Sequence, residues 1–302
     1  MYLVCGEALF DFFSEDDASG LASKVNFKAI AGGSPFNVAV GLRRLGVDSA
    51  LFAGLSTDYL GRRLQQVLQD EGVRADYLID FAAPTTLAMV AVGANGSPHY
   101  SFRGEGCADR QLSLTHLPQL GPEVRGLHIG SFSLVVQPIA DTLLTLVQRE
   151  SGKRLITLDP NVRLNPEPNI DLWRERVATL VQLADMIKVS DEDLSLLYPE
   201  QDPKRVIEFL TRGGEGATVF SRAHGSWSVP ACSVKIADTV GAGDTFQAAL
   251  ITWLTEQELD SVEGVQQLSR EQIEAMLRFA VQAAALTCSK TGPDLPYRHQ
   301  LS

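Results

Sequence analysis

The chain has 302 residues, of which 45% are hydrophobic, and its formal net charge at pH 7 is −11. A chain of this length and composition can bury a large core, either as one large α/β domain or as one domain with a small appendage. The negative charge, which no basic run offsets locally, argues against a nucleic-acid-binding surface. Small molecules are therefore the expected partners.

Cysteine usage and the N-terminal sequence indicate the compartment. The four cysteines are far apart and have neither metal-ligand spacing nor a dense disulfide pattern, which suits a reducing environment. No apolar run approaches the roughly 18 residues that a membrane helix needs. The chain enters a strand-like segment at Tyr2 to Cys5 with no basic region ahead of it. We expect a soluble cytoplasmic protein that contacts no membrane.

Strand and helix patterns alternate along most of the chain. The helix after the glycine pair at 32–33 is predicted to begin with Ser34 as N-cap and Pro35 at the first helical position. The predicted strands cover 2–5, 24–31, 50–54, 126–130, 154–158 and 185–190, and further helices cover 59–70, 137–150, 171–184 and 270–287. The alternation predicts an α/β fold with a parallel sheet, which binds ligands at the carboxyl ends of its strands.

A hairpin signal interrupts this alternation. Two β-rich runs, at 86–92 and 98–102, are joined by five residues that include two glycines. We interpret this hairpin as part of a small sheet that stands off the main body as a lid. The chain is therefore predicted to be a single domain, 1–302, in which segments at about 8–31 and 85–106 contribute the lid strands.

The segment Ile236–Phe246 combines an apolar run, a glycine turn and a helix start. Apolar residues recur at helical spacing after Gly243, so a helix is predicted to begin at about Asp244. The unpaired N–H groups of a helix start attract anions, phosphate above all, and glycines allow a ligand to come close. A carboxylate at the same place can accept the proton of a hydroxyl. The alternative is that Asp244 is an ordinary N-cap and the glycines a tight turn.

Three further polar residues are candidates for ligand binding. Asn37 lies in the first turn after Gly32-Gly33, where its amide can bond a sugar hydroxyl, although helix capping is its ordinary explanation. Asp11 is a carboxylate among apolar neighbours, and either lies on an exposed strand face or accepts hydrogen bonds from substrate hydroxyls. Arg103 ends the predicted hairpin, and would either direct a cation toward the cleft or be solvated.

Two common phosphate-binding motifs do not occur in the sequence. No G-x-x-x-x-G-K-[ST] run is present, and no G-x-G-x-x-G follows the first strand. A P-loop ATPase and an ordinary dinucleotide dehydrogenase are therefore disfavoured.

Two motifs together carry a family resemblance. Gly32-Gly33-Ser34-Pro35-Phe36-Asn37 and Asp238-Thr239-Val240-Gly241-Ala242-Gly243-Asp244 resemble the two signatures of the ribokinase-like, or PfkB, family of carbohydrate kinases. The resemblance extends over nearly the whole chain and is closest to the bacterial fructokinase branch. The segments that resemble this branch are 6–11, 130–134, 159–163 and 188–193.

The resemblance implies a fold and a reaction. The implied fold is a three-layer α/β/α sandwich with a mostly parallel central sheet and a small β-sheet lid. The implied reaction transfers a phosphoryl group from ATP to a sugar hydroxyl with the help of Mg²⁺. Activation by a monovalent cation such as K⁺ is left open.

The resemblance also implies roles for individual residues. Asp244 would be the catalytic base, and the amides of Gly241, Ala242 and Gly243 would form the anion hole. The residues implied for sugar binding are Asp11, Gly32, Gly33, Asn37, Arg103 and Arg163. The residues implied for ATP binding are Ser190, Thr211, Gly213 and Gly216.

The chain departs from the family pattern at three places. The N-x-x-E motif near the metal reads Ser190-Asp191-Glu192-Asp193, which makes Asp193 the candidate for the Mg²⁺ contact. The segment from Tyr198 to Thr211 is shorter than the family's usual helix plus strand. Val281 stands where many members have Asn.

Several functions follow from this pattern. The expected reaction is the ATP-dependent phosphorylation of D-fructose to fructose 6-phosphate. A 2-keto-3-deoxygluconate kinase is the first alternative, because Arg103 and Arg163 could bind its substrate's carboxylate, and another PfkB sugar or nucleoside kinase is a further one. A catalytically weak sugar-binding regulator is the non-enzymatic alternative. An exposed edge strand of the lid could pair two chains into a homodimer.

Overall fold

The computed structural model describes residues 1–14, 23–92, 98–199, 209–290 and 292–301. The strands are β1 (Tyr2–Cys5), β2 (Leu9–Ser14), β3 (Phe27–Gly32), β4 (Ser49–Ser56), β5 (Leu78–Phe81), β6 (Leu87–Val92), β7 (Pro98–Arg103), β8 (Gly126–Gly130), β9 (Leu155–Asp159), β10 (Met186–Ser190), β11 (Phe209–Thr211), β12 (Ala217–Ser221) and β13 (Gly225–Val229). The helices are α1 (Ser34–Arg44), α2 (Tyr59–Asp70), α3 (Ile139–Glu150), α4 (Ile170–Val181), α5 (Asp191–Leu197), α6 (Ala242–Glu256), α7 (Val262–Gln266) and α8 (Arg270–Cys288).

The central sheet contains nine strands in the order β13-β12-β11-β10-β9-β8-β1-β4-β5. All neighbouring pairs from β11 to β5 run parallel, and β12 and β13 are antiparallel additions at one edge. Strands β1, β4, β8 and β9 are buried along their whole length. This burial is expected for parallel strands that are covered by helices on both faces.

The core consists of two large apolar clusters, one on each face of the central sheet. Helices α1, α6 and α8 supply one cluster, which includes Leu42, Leu250 and Leu277. Helices α3 and α4 supply the other, which includes Leu143 and Trp173. Full burial of such side chains stabilises the fold by about 1.5–3 kcal/mol each. The predicted three-layer α/β/α sandwich is confirmed.

A second, four-stranded sheet forms the lid and has the order β3-β2-β6-β7. The predicted hairpin is present as the antiparallel pair β6–β7, while its loop at 93–97 lies outside the described residues. Gly6, with φ 146°, links β1 of the central sheet to β2 of the lid. A side chain at Gly6 would collide with the ring of Pro35. The assignment of the whole chain to a single domain stays a prediction.

Some elements differ from the sequence-based expectation. Strand β5 was not predicted because Asp80 interrupts its apolar run, and helix α7 was not predicted because five residues are too few to display a helical period. The strand expected at 24–31 begins only at Phe27. Much of the short segment before Thr211, residues 200–208, lies outside the described residues. No helix in the described ranges is long and apolar enough to cross a membrane.

Candidate active site

Helix α6 begins at a left-handed glycine. Gly241 has φ 79° and is the N-cap residue, with Ala242 as the first helical residue. A β-carbon placed at Gly241 would lie 2.8 Å from the Cβ atom of Pro293, so only glycine fits here without strain. Glycine has no side chain to cap the helix. The Ala242 amide donates to the Thr239 carbonyl oxygen at 3.2 Å, so the amides of Gly241 and Gly243 are the ones that can meet a ligand at this helix start. The predicted anion hole therefore coincides with a real helix start that faces the cavity described below.

Asp244 lies in the first turn of α6 and is 8% exposed. Its Oδ1 atom accepts a hydrogen bond from the Ser34 hydroxyl at 2.7 Å, and its Oδ2 atom accepts one from the Asn37 amide at 2.8 Å. Burial raises the pKa of Asp244, while these two bonds and the nearby cations Lys188 and Arg163 oppose the increase. Because the N-cap is Gly241, the alternative that Asp244 merely caps the helix is wrong.

The second glycine pair holds the partners of Asp244. Gly33, with φ 103°, is the N-cap of α1, and a β-carbon there would lie 2.9 Å from the carbonyl oxygen of Glu7. The expected N-cap role of Ser34 is therefore wrong, because the helix already includes Ser34 and its hydroxyl turns to Asp244. Asn37, predicted as a sugar ligand, donates to the same carboxylate.

Asp11 projects from β2 of the lid beside Asp244. Burial raises the pKa of Asp11 to about 7; the charge of Asp244 adds to this increase, and Arg163 opposes it. Any side chain at Gly32 would collide with the Asp11 carboxylate, which explains the glycine at that position. Asp11, Arg163 and Asp244 thus form one charged group across the cleft between lid and body.

The predicted role of Arg103 is not supported by its position. Its side chain is exposed, and the residues that line the cavity include Phe102 but not Arg103. Successive strand residues point to opposite faces of a sheet. At the end of β7, the face toward the cavity is occupied by Phe102, so the cation that follows points away.

A cavity of about 850 Å³ lies between the lid and the carboxyl ends of the central strands. We call its two parts the lid end, marked by Asp11, Asn37, Arg163 and Asp244, and the turn end, marked by Ser190, Thr211, Gly213 and Gly216. All eight residues line it. Its size falls in the range of small-molecule sites.

The turn end is built from backbone turns and small polar residues. Ser190 of β10 is directly opposite Thr211 of β11 in the sheet register, so two predicted residues meet. Gly213 and Gly216 have φ values of 48° and 98° and bound a tight turn. At Gly216 a side chain would collide with the carbonyl oxygen of Val229. The four residues predicted for ATP binding are therefore brought together.

Asp193, the candidate metal ligand, is engaged by protein donors. It is 2% exposed; its Oδ1 atom accepts from the Val162 amide at 2.7 Å, and its Oδ2 atom accepts from the Ser190 hydroxyl at 2.7 Å. Within the described ranges, no group of three or more His, Cys, Asp or Glu side chains could hold a metal ion. The geometry thus gives no support to Asp193 as a metal ligand. The Asp193 side chain instead connects the loop after β9 to the start of helix α5.

Two cavity-lining residues were missed at the sequence level. Glu7 is buried, accepts a hydrogen bond from the Ser133 hydroxyl at 2.5 Å, and has a pKa that burial raises to about 7. Lys188 is buried on β10 and forms an ion pair with Asp159 of β9 at 2.6 Å. A charged residue inside an otherwise apolar strand was the available signal for Lys188.

Comparisons with known proteins identify the family of the chain. The model of the pfkB family of carbohydrate kinases matches residues 1–300. The chain belongs to this family.

Relatives of this chain within the family include fructokinases. A fructokinase of Rhizobium leguminosarum bv. trifolii is 33% identical over 281 residues, which cover 90% of this chain and 85% of that protein. The crystal structure of a fructokinase from Xylella fastidiosa with bound ATP has a TM-score of 0.88 at 26% identity, and covers 99% of this chain and 96% of that one. A double mutant of the fructokinase from Vibrio cholerae, in a form with bound fructose, ADP and potassium ion, has a TM-score of 0.80 at 26% identity, and covers 97% and 93%.

Proposed function

We propose that this chain is an ATP-dependent fructokinase, which transfers the γ-phosphoryl group of ATP to D-fructose and forms fructose 6-phosphate. The observation that carries the proposal is the Asp244 carboxylate, fixed by Ser34 and Asn37 next to the glycine turn of α6. A proton acceptor and an anion-binding helix start thus lie within one turn of each other. The fructokinase relatives support the choice of substrate.

In the proposed reaction the lid end binds the sugar and the turn end binds ATP. The 6-hydroxyl oxygen of fructose attacks the γ-phosphorus, and a new P–O bond forms. The bond from the γ-phosphorus to the bridging oxygen breaks, and ADP leaves with its electron pair. The hydroxyl proton passes to Asp244. The amides of Gly241 and Gly243 stabilise the charge on the transferred group, while that of Ala242, the third predicted donor, is bonded to the Thr239 carbonyl oxygen.

The turn end also fits Mg²⁺ that enters with ATP. Asp191 and Glu192 line the cavity, and carboxylate oxygens are the ligands that Mg²⁺ prefers. When bound, Mg²⁺ neutralises phosphate charge during transfer. K⁺ is a further candidate, supported by the potassium-bound Vibrio fructokinase.

The assignment of fructose is tested with purified protein, ATP, Mg²⁺ and a panel of acceptors. Fructose should give the highest kcat/KM. A higher kcat/KM for 2-keto-3-deoxygluconate would make that acid the substrate in place of fructose. Of the two arginines proposed to bind its carboxylate, Arg163 lines the cavity and Arg103 does not. If none of the acceptors supports ATP consumption, the kinase assignment is contradicted. An equal rate of ATP consumption with and without sugar would contradict it as well.

We also propose that two chains pair through the lid. Strand β3 is an edge of the lid sheet, and the exposed apolar residues Val25 and Phe27 lie at its start. Exposed edge strands are templates for pairing with another chain. Sedimentation should give a dimer that Phe27→Lys dissociates; a monomeric wild-type protein would contradict the proposal. A cytoplasmic location is inferred from the unpaired, buried thiols of Cys5 and Cys107.

A further inference from the structure

The turn at Gly241 is supported from behind by residues 292–297, which follow helix α8 and form neither helix nor strand. Pro293 packs closely on the turn, since a β-carbon placed at Gly241 would lie 2.8 Å from the Cβ atom of Pro293. Leu295 is 2% exposed, and its Cδ1 atom lies 3.9 Å from the same point. The position of Gly241 thus depends on this segment, which we call the backing segment.

Helix α1 holds the backing segment with its last turn. Gly41 leaves room for Leu295, because any side chain at Gly41 would collide with the Leu295 side chain. Arg44 is the last residue of α1, and its Nη1 atom donates to the Leu295 carbonyl oxygen at 2.8 Å and to Oδ1 of Asp294 at 3.0 Å. Its guanidinium carbon also lies 4.8 Å from the centre of the Tyr297 ring. Arg44 therefore holds the backing segment at three points.

The other edge of the same guanidinium group faces helix α2. Its Nε and Nη2 atoms donate to the carboxylate of Glu71, the C-cap residue of α2, and both side chains are 16% exposed. A planar guanidinium group has donors in a fixed fork, so it can bridge two partners at once, whereas the compact ammonium group of lysine cannot reproduce this geometry. Pairing with Glu71 alone would not need the second edge. The bond to the Leu295 carbonyl oxygen is the contact that leads to the Gly241 turn.

Helix α1 thus contacts both halves of the proposed chemistry. Its first turn carries Ser34 and Asn37, which bind the Asp244 carboxylate. Its last residue holds the segment behind Gly241. A helix of 11 residues is a rod about 16 Å long, so one rigid element sets the positions of the base and of the turn. A misplacement of about 1 Å between reacting groups can lower a rate by about 100-fold.

We propose that Arg44 is a positioning residue for phosphoryl transfer: through Leu295 and Pro293 it fixes Gly241, and with it the anion-binding amides, relative to Asp244. This inference rests on the proposed kinase function. Arg44 does not line the cavity and touches no substrate. The bonds made and broken are those of the transfer described above, and the proton still passes to Asp244.

Two variants separate this role from a purely structural ion pair. Arg44→Met removes the contacts to both partners, whereas the matched control Glu71→Gln removes the charge on α2 and leaves the bonds to the backing segment. The kcat of Arg44→Met should fall by about 10–100-fold with the KM for fructose changed by less than about twofold, because the amides act on the transition state. The kcat of Glu71→Gln should stay within about twofold of the wild type, even where both variants lower Tm. Equal losses of kcat in the two variants, or an unchanged kcat in Arg44→Met, would overturn the proposal.

Arg44→Lys is a second variant that keeps the charge beside Glu71 and the length of the side chain, in case Arg44→Met does not fold. Its single ammonium group cannot hold Glu71, Asp294 and the Leu295 carbonyl oxygen together. The kcat should therefore still fall while the KM for fructose is retained. A wild-type kcat in Arg44→Lys would show that only the charge matters, which overturns the proposal.

Amide NMR spectroscopy provides a measurement that needs no turnover. In ¹H–¹⁵N spectra, the amide signals of Gly241 and Gly243 should shift in the folded Arg44 variants and keep their positions in Glu71→Gln. Unchanged signals in the Arg44 variants, or equal shifts in Glu71→Gln, would overturn the proposal. If the wild type phosphorylates no sugar, the kinase function fails, while this comparison still decides whether Arg44 positions the turn.

Discussion

The two ends of the cavity are built by different means. At the lid end, charged and polar side chains from distant parts of the chain meet: Asp11 comes from β2, Asn37 from α1, and Asp244 from α6. At the turn end, Ser190 and Thr211 lie side by side on neighbouring strands, and glycine turns complete the surface. The lid end thus holds buried charges, which are costly to desolvate, whereas the turn end combines backbone turns with the exposed carboxylates of Asp191 and Glu192. From this contrast we infer that the lid end carries out the chemistry and that the turn end positions the nucleotide, and the variants below test this division.

The largest expected effect comes from Asp244→Asn. Asn removes the proton acceptor but preserves the size of the side chain, and the N-cap at Gly241 is untouched. We expect kcat to fall by about 10²–10⁴-fold, with ATP affinity retained. Turnover and ATP binding should be measured on the same folded sample. A decrease of less than about tenfold would show that the lid end does not supply a general base.

Asp11→Ala should have the next largest effect. The carboxylate is expected to accept hydrogen bonds from sugar hydroxyls. The transition-state stabilisation measured by kcat/KM for fructose should therefore fall by about 2–4 kcal/mol, the loss of a charge-assisted bond plus positioning. The KM for ATP should not change. Steady-state kinetics with each substrate varied in turn decides this point. An unchanged kcat/KM for fructose would remove Asp11 from the site.

Asp11 should also make stability depend on pH. Its pKa is raised to about 7 in the folded protein, so the folded state binds a proton more readily than the unfolded state, and the free energy of unfolding decreases as pH rises toward 7. Asp11→Asn removes the free-energy cost of ionising this buried carboxyl group. Its Tm at pH 8 should exceed that of the wild type by about 2–4 °C, the shift from about 1 kcal/mol in a large domain. The gain should shrink at pH 5. An identical gain at both pH values would contradict the buried-charge explanation.

The smallest effect is expected at the turn end, from Thr211→Val. The Thr211 hydroxyl donates to the Val189 carbonyl oxygen at 3.3 Å, a long and therefore weak bond. Removing it should raise the KM for ATP by about two- to fivefold, the change from about 0.5–1 kcal/mol, and leave kcat unchanged. Initial-rate measurements at saturating fructose test this. A large decrease in kcat would break the contrast between the two ends.

The sequence predicted the fold well where periodic patterns are long. The helix at 59–70 matches α2, and the hairpin matches β6 and β7. Strand β5 offered no uninterrupted apolar run, and helix α7 offered too few residues for a helical period. Motif residues such as Asp244 and Gly241 were predicted together because they are contiguous in the chain.

The missed parts of the site depend on non-local contacts. Ser34 was taken for an N-cap because the positive φ of Gly33, which shifts the helix start, cannot be read from composition. Arg103 was predicted to lie in the cleft. Successive strand residues point to opposite faces of the sheet, and the residue that faces the cavity is Phe102. Lys188 is conspicuous in the sequence as a charge within an apolar strand, but only the fold places it beside Asp159.

The most direct test of the central claim is the identity of the product. Wild-type protein, ATP, Mg²⁺ and fructose labelled with ¹³C are incubated, and phosphorus–carbon couplings are read by NMR spectroscopy. We expect coupling to C6 of fructose, with one ADP formed for each sugar phosphate. Coupling to C1, or ADP without a sugar phosphate, would contradict it.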